Sequence, residues 1–232
     1  RLNRAAFDYI VANDLWYQEG LLKSAMTHGI DFPQEAIIVK STWLPINEKE
    51  KAFYHWQMNG KQLVGMVAFG FMTKDLPTWY WATFEHLNNL GRSDITGSMD
   101  SFGVAPHFQT SNRLLNQGYP PQKLTPQLLH LFKKAGLGEV WKNYRLKGTQ
   151  TTFTDATGRP TILGNSIQEA GQVNTSSCVT CHARASISQG VKLSPKPKLG
   201  PVANQFPNPF KSLKPALGFV GTPKSEWFYQ NH

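Results

Sequence analysis

The only two cysteines of this 232-residue chain stand three positions apart and are followed at once by a histidine, in the stretch NTSSCVTCHARAS. A porphyrin with two vinyl groups on one edge needs two thiols that add across them and an imidazole that reaches the iron from the same turn of chain. Cys178-x-x-Cys181-His182 supplies both. A structural zinc site needs a second pair of ligands at comparable spacing, and the sequence has neither another cysteine nor a His-x(3 to 5)-His pair. A thioredoxin-like dithiol belongs at a helix start after a buried strand of a βαβ unit, whereas polar Asn174 to Ser177 precede this motif. The spacing points to one covalently bound haem c, with Cys178 and Cys181 as thioether positions and His182 as the proximal iron ligand. A redox dithiol and a plain disulfide stay open as lesser readings.

The sixth position of such an iron would be filled from elsewhere in the chain or left open. His86 ranks first, at the end of the aromatic run TWYWATFEH and next to Glu85. The alternative for it is a strand-end histidine hydrogen-bonded to backbone. Met99 and His107 come next, His28, His55 and His130 read as surface or packing residues, and His232 is terminal. In a strand, Trp79, Trp81 and Thr83 share one face, so two indoles are placed to line a haem pocket or carry an electron outward, or simply to build core. Arg184, two residues past His182, suits a haem propionate, with Arg145 and Lys147 as alternatives. Glu85 and Asp100 are the acid/base candidates.

The elements that must position these residues change character along the chain. Asn3 is placed to cap an amphipathic helix carrying Ala6, Tyr9, Ile10, Leu15 and Trp16, broken around Gly20 and Gly29. Residues 36–86 then run through aromatic and β-branched segments (36–43, 52–58, 61–72, 78–86) with Asn59-Gly60 between two of them, which predicts antiparallel sheet with a hairpin. Residues 87–122 are rich in Gly, Ser, Asn and Pro and read as a long central loop. Thr125-Pro126 opens a helix that runs to Gly136. A second hairpin is predicted from 143–155 and 159–165, followed by a short helix near Ser166 to Ala170. The expected fold is α+β: an antiparallel β-rich core, a few helices, a long central loop and an extended C-terminal tail.

That tail is marked by composition. Seven of the fifteen prolines fall after Gly190, at 195, 197, 201, 207, 209, 215 and 223, which excludes helix and central strand alike. The expected organisation is a haem-binding domain over 1–189 and a Pro/Lys-rich extended segment over 190–232. Formal charge is +9, and Lys192, Lys196, Lys198, Lys211, Lys214 and Lys224 lie in the tail with no acid before Glu226. Without a recognition module or a block of consecutive Lys/Arg, nucleic acid is excluded, and an acidic protein partner or an anionic small molecule is expected. With 40% hydrophobic and 17% charged residues the chain is an ordinary globular one. No stretch approaches the roughly 18 apolar residues that span a bilayer, so no transmembrane segment is expected. The chain begins RLNRAAFDYI, without initiator methionine or apolar signal core, and reads as mature and processed.

Residues Cys178, Cys181 and His182 resemble the attachment site of c-type cytochromes, a match that covers five positions and says nothing of fold. More loosely, WATFEH, YRLKGTQTTFTD and SSCVTCHARA resemble bacterial single-haem proteins described only as cytochrome c family. The resemblance implies periplasmic maturation, because bacterial haem c is attached after export. It does not extend to the small all-α cytochromes c, whose motif is N-terminal with a distal methionine downstream; here every methionine precedes Cys178. In element order the chain is closer to sheet-based cytochromes of the c-prime-beta type, which carry a late motif and an open distal side. Three functions follow as expectations. The first is a periplasmic monohaem electron carrier that docks an acidic redox partner. The second is a haem enzyme or sensor whose open distal side binds a small-molecule ligand such as peroxide, O2, NO or a reduced nitrogen compound. The third is a docking subunit of a redox complex whose tail wraps its partner.

Overall fold

The computed structural model describes residues 1–27, 29–89, 124–169, 176–183 and 221–222. Its centre is an antiparallel sheet of five strands: β1 (Ile37–Pro45), β2 (Trp56–Asn59), β3 (Gln62–Thr73), β4 (Tyr80–His86) and β5 (Tyr144–Gln150). Four helices accompany it: α1 (Arg4–Ala12), α2 (Gln18–Thr27), α3 (Pro126–Lys134) and α4 (Cys178–Ala183). The fold is therefore α+β and not the small all-α type.

Strand order is β1-β3-β4-β5, with β2 also paired to β3. The long strand β3 is the axis of the sheet. Its first half pairs with β2 (Met58↔Leu63) and its second half with β4 (Met72↔Trp81), while β1 runs along the opposite edge. The β2–β3 hairpin follows the expected signal but is shifted by one residue. Asn59 and Gln62 are the last pair, so Gly60 takes the first central position of a two-residue turn, at φ 60, a conformation that favours glycine. Of the run 52–58 only its last three residues join β2; Ala52 to Tyr54 form a turn.

Strand alternation sorts the side chains into two faces. On one, Phe69, Phe71, Tyr80, Phe84, Tyr144 and His86 meet ring to ring, with Phe69 and Phe84 stacked at 4.5 Å and 3°. On the other, Trp81 packs with Leu163 and Val179 into a small core cluster that also takes in Met72 and Cys178. This second face carries α4.

The N-terminal segment protects the outer edge of β1. Leu2 bridges Ile38, and Asn3 caps α1 by accepting from the Ala6 N–H at 3.1 Å while also accepting from the Ile37 N–H at 3.0 Å. The break between the first two helices comes at Asn13 and Asp14, where Asp14 has φ 51, and not at Gly20, which lies inside α2. Gly20 is required for another reason: a Cβ there would stand 2.1 Å from the Asp14 carbonyl oxygen. Thr125 caps α3 as expected, accepting from the Leu128 N–H, with Pro126 at the first turn and Gly136 beyond the end at φ 66.

The second hairpin forms in part. Only β5 is a strand; residues 159–165 return through the single Thr154↔Pro160 bridge and a turn held by Asp155, whose Oδ1 accepts from Thr157 N and Arg159 N. The expected helix at Ser166 is one turn, with Asn165 Oδ1 accepting from Ile167 N and Gln168 N. Almost all of the long central loop and of the segment 190–232 lies outside the described residues. Within the latter, Gly221 is buried against α4. No helix among the described residues is long and apolar enough to cross a membrane.

Candidate functional site

Helix α4 begins at the first cysteine, and its start is built by three side chains. Ser177 is the cap: its Oγ accepts from the Thr180 N–H at 3.3 Å and donates to Thr180 Oγ1 at 2.9 Å, and its carbonyl accepts the first helical bond, from Cys181 N. Gln150, at the end of β5, ties this turn to the sheet. Its Nε2 donates to Ser177 Oγ at 2.8 Å and to Thr161 Oγ1 at 2.7 Å, while its Oε1 accepts from the Val179 N–H at 3.0 Å. Thr180 is fully buried and donates its hydroxyl to the Gly221 carbonyl at 2.8 Å. A helix of six residues has little stability of its own, so these bonds and the burial of Val179 hold it in place.

Positions 178, 181 and 182 are spaced i, i+3 and i+4 and form one stripe of the helix. That stripe faces a cleft of about 110 Å³ between α4 and the sheet, lined by Cys178, Cys181 and His182 on one side and by Lys40, Met72 and Trp81 on the other. Gly70 lies in the floor, where a Cβ would stand 3.2 Å from the Ala82 carbonyl oxygen and 3.8 and 3.9 Å from Gln168 Oε1 and Thr83 Oγ1. Glu169 lines the cleft from the returning segment.

The electrostatics distinguish the three motif residues. Both cysteines are free thiols. Burial, the nearby Glu169 carboxylate and Cys181 push the Cys178 pKa up to about 12, and its Sγ–H points to the Leu163 carbonyl at 3.6 Å. A redox-active dithiol requires a depressed thiol pKa, so this environment is wrong for a thioredoxin-like nucleophile. His182 packs on Trp81 with ring centroids 4.5 Å apart. Desolvation, and then the charge of Lys40, lower its pKa, although the residue as a whole is exposed; the shift favours the neutral imidazole, the form that ligates a metal. Burial raises the pKa of Glu169; the bond from Asn165 N at 2.7 Å and the charge of Lys40 oppose this in part, and the Glu85 carboxylate adds to it.

Of the residues singled out from sequence, Cys178, Cys181, His182 and Trp81 come together in this cleft. His86 does not. It sits five residues from Trp81, an odd separation, and so projects from the opposite sheet face. There it is 1% exposed, stacked on Tyr54 at 3.7 Å, with Nε2 3.0 Å from the Phe53 carbonyl and Nδ1 accepting from Asn88 N at 3.1 Å. Both ring nitrogens are engaged with backbone, which is the packing role set beside the ligand role above. Glu85 shares the cleft face but is fully buried beyond the cleft, with its two carboxylate oxygens accepting from Ser166 N and Ser166 Oγ at 2.6 and 2.7 Å. Arg145, its partner in register, and Lys147 are buried at the same end of the sheet and do not line the cleft. His55 packs on Trp141, and His130 is exposed on α3. Arg184, Met99, Asp100, His28, His107 and His232 lie outside the described residues.

Three residues of the site went unnoticed in the sequence. Ser177 had a visible signal, a serine directly before the helical motif. Lys40 had a weak one, a lone cation in an apolar strand. Gln150 had none, because its partners are far along the chain.

The donor set fits a covalent haem c. The thiols lie on one stripe with the imidazole beside them, Met72, Trp81 and Leu163 supply apolar surface, Gly70 leaves the floor open, and Lys40 is a cation at the cleft. The cleft volume is below the several hundred Å³ of a pocket that envelops a ligand, so the described residues would meet a macrocycle along one edge only. Among them no group of three or more His, Cys, Asp and Glu side chains is arranged as a metal cage. Comparison of the chain with protein-family models, with curated proteins and with solved structures gave no match.

Proposed function

We propose that this chain is a periplasmic single-haem c-type protein that passes electrons one at a time. The observation that carries the reading is the common stripe of Cys178, Cys181 and His182 on α4, facing a cleft whose opposite wall is sheet that carries Met72, Trp81 and Lys40. In this reading Cys178 and Cys181 hold the porphyrin edge through thioethers and His182 supplies the proximal nitrogen. The haem, when bound, provides the one-electron couple. The protein supplies the rest: Gln150 and Ser177 fix the helix that carries all three groups, Trp81 orients the imidazole, and Lys40 offers a propionate a charge-assisted contact. An acidic redox protein is the partner that the +9 charge favours.

A second reading has specific support. With His86 on the far face of the sheet, the histidine placed first as sixth ligand is not at the cleft, and an iron held by His182 alone would bind a small molecule such as peroxide, O2, NO or a reduced nitrogen compound. Acid–acetone extraction tests the shared claim: the red pigment stays with the polypeptide if the haem is thioether-linked and leaves with the solvent if it is not. Adding carbon monoxide to the reduced protein then separates the two readings. An unchanged low-spin spectrum supports the carrier, and an immediate shift supports the open distal site.

A further inference from the structure

The contacts of His182 do not stop at Trp81. Trp81 and Trp79 have ring centroids 6.4 Å apart, Trp79 and Phe32 5.6 Å, and Phe32 and Tyr9 4.7 Å. Every step falls within the separations at which aromatic rings contact one another. The series therefore runs without a gap from the proximal imidazole, across the end of β4, to Tyr9 on α1, at the surface formed by the N-terminal helix. Electron tunnelling falls off exponentially with distance and faster through empty space than through bonded or touching groups, so a continuous file of π systems is a preferred path.

The middle of this file is held at a cost. Trp79 has φ 64, a left-handed backbone that is unusual for a bulky residue and persists only where its surroundings demand it. It directly precedes β4, so the strand's own alternation does not set where its indole points; the positive φ together with the bond from Trp79 N to Leu76 O at 2.9 Å does. The result places the indole between Trp81 and Phe32. Trp81 is fixed in turn by its Nε1–H donating to the Thr78 carbonyl at 2.9 Å, and Tyr9 by its hydroxyl accepting from Asp31 N at 2.8 Å.

We propose that Trp81, Trp79, Phe32 and Tyr9 form the electron exit path of the protein, leading from the His182 side of the haem to the α1 surface. This rests on the haem reading above. An acceptor docked over Phe32 and Tyr9 is reduced by the one electron that ferrous haem gives up in becoming ferric; no bond is made or broken and no proton moves. The four rings are positioning and conducting groups, not catalytic residues.

The test is a flash experiment on the haem-bearing protein. In that form the native thiols are consumed as thioethers, so Asp8→Cys on the exposed face of α1 accepts a ruthenium-polypyridyl photo-oxidant at one place. Lys142→Cys, in the short 3-10 helix before β5 and partly exposed, gives a second label position as a control. Electron arrival from the reduced haem is read from the Soret bleach. From the Asp8 position Trp79→Leu should slow transfer by an order of magnitude or more, and Trp79→Phe, which keeps a ring, should restore most of the rate. From the Lys142 position neither variant should matter. Equal rates in Trp79→Leu and the parent from the Asp8 position overturn the path, as does an equal slowing from both positions, which marks a general disturbance of the fold. A preparation with no bound haem overturns the haem reading and the path with it, and is recognised by mass before any flash is given.

Discussion

Trp81 of β4 lays its indole against the imidazole of His182 on α4, with centroids 4.5 Å apart and planes inclined by 44°. This contact joins the sheet to the helix that carries the motif. It explains why a six-residue helix can present two thiols and an imidazole in a fixed direction: one side is pinned by Gln150 and Ser177, and the other rests on an indole that is itself hydrogen-bonded to Thr78.

Removing that indole should be costly. Trp81 is 6% exposed and packs on Leu163 and Val179, so Trp81→Ala is expected to lose about 3–5 kcal/mol of stability in urea unfolding. In haem-free protein the His182 pKa should rise toward its ordinary value as solvent returns to the ring, measured by NMR titration. An unchanged titration would show that the indole is not what desolvates the imidazole.

Stability of the haem-free chain should depend on pH in a definite direction. The folded-state pKa of His182 is depressed by burial and then by Lys40, and that of His55 by burial. Below the ordinary value of about 6.5 the unfolded chain takes up protons that the folded chain resists. The contribution is therefore full above that pH and is lost as pH falls through the depressed folded value. Denaturation midpoints of the parent and of His182→Phe should converge with the variant's acid-side slope the shallower; identical slopes would contradict the assignment.

The thiol of Cys178, with its pKa pushed up to about 12 by burial and then by Glu169, should react slowly. Alkylation of haem-free protein at pH about 8, close to the free-thiol value, followed by peptide mapping, should find Cys178 modified well behind an unstructured reference peptide. Glu169→Gln should speed it, by less than full unfolding does. Labelling of native Cys178 at the reference rate would reopen the dithiol reading.

Gln150→Ala removes the two bonds that tie the start of α4 to the sheet, and the bond to Thr161, and leaves the Val179 N–H buried without its acceptor. The expected loss is about 1–3 kcal/mol in urea unfolding. The yield of haem-bearing protein should fall as well, because thioether formation requires both sulfurs at the same edge. Normal stability with normal loading would show that the helix is held by something else.

Much of this arrangement was legible in the sequence, for reasons that can be named. Aromatic and β-branched runs gave the sheet, and Asn3 and Thr125 gave two helix starts, because those signals are local. The motif spacing gave the stripe on α4. Of the two readings of His86 the structure shows the backbone-bonded strand-end histidine, on the face that parity sets opposite Trp81; which backbone groups hold it, those of Phe53 and Asn88, is not visible along the chain. The break at Asp14 and the bent backbone at Trp79 depend on tertiary packing that forces positive φ on ordinary residues. The segment 159–165 carries a turn signal and β-rich residues, yet most of its hydrogen bonds go to side chains and to the turn before α4, so no second strand forms.

The central claim is that the sulfurs of Cys178 and Cys181 are bonded to one porphyrin beside His182. Intact-mass measurement of the chain, produced where haem attachment can occur, tests it most directly. The account predicts the polypeptide mass plus one haem, abolished by Cys178→Ala together with Cys181→Ala, and a Soret band that accompanies the added mass. A bare polypeptide with two titratable thiols and no Soret band would contradict it.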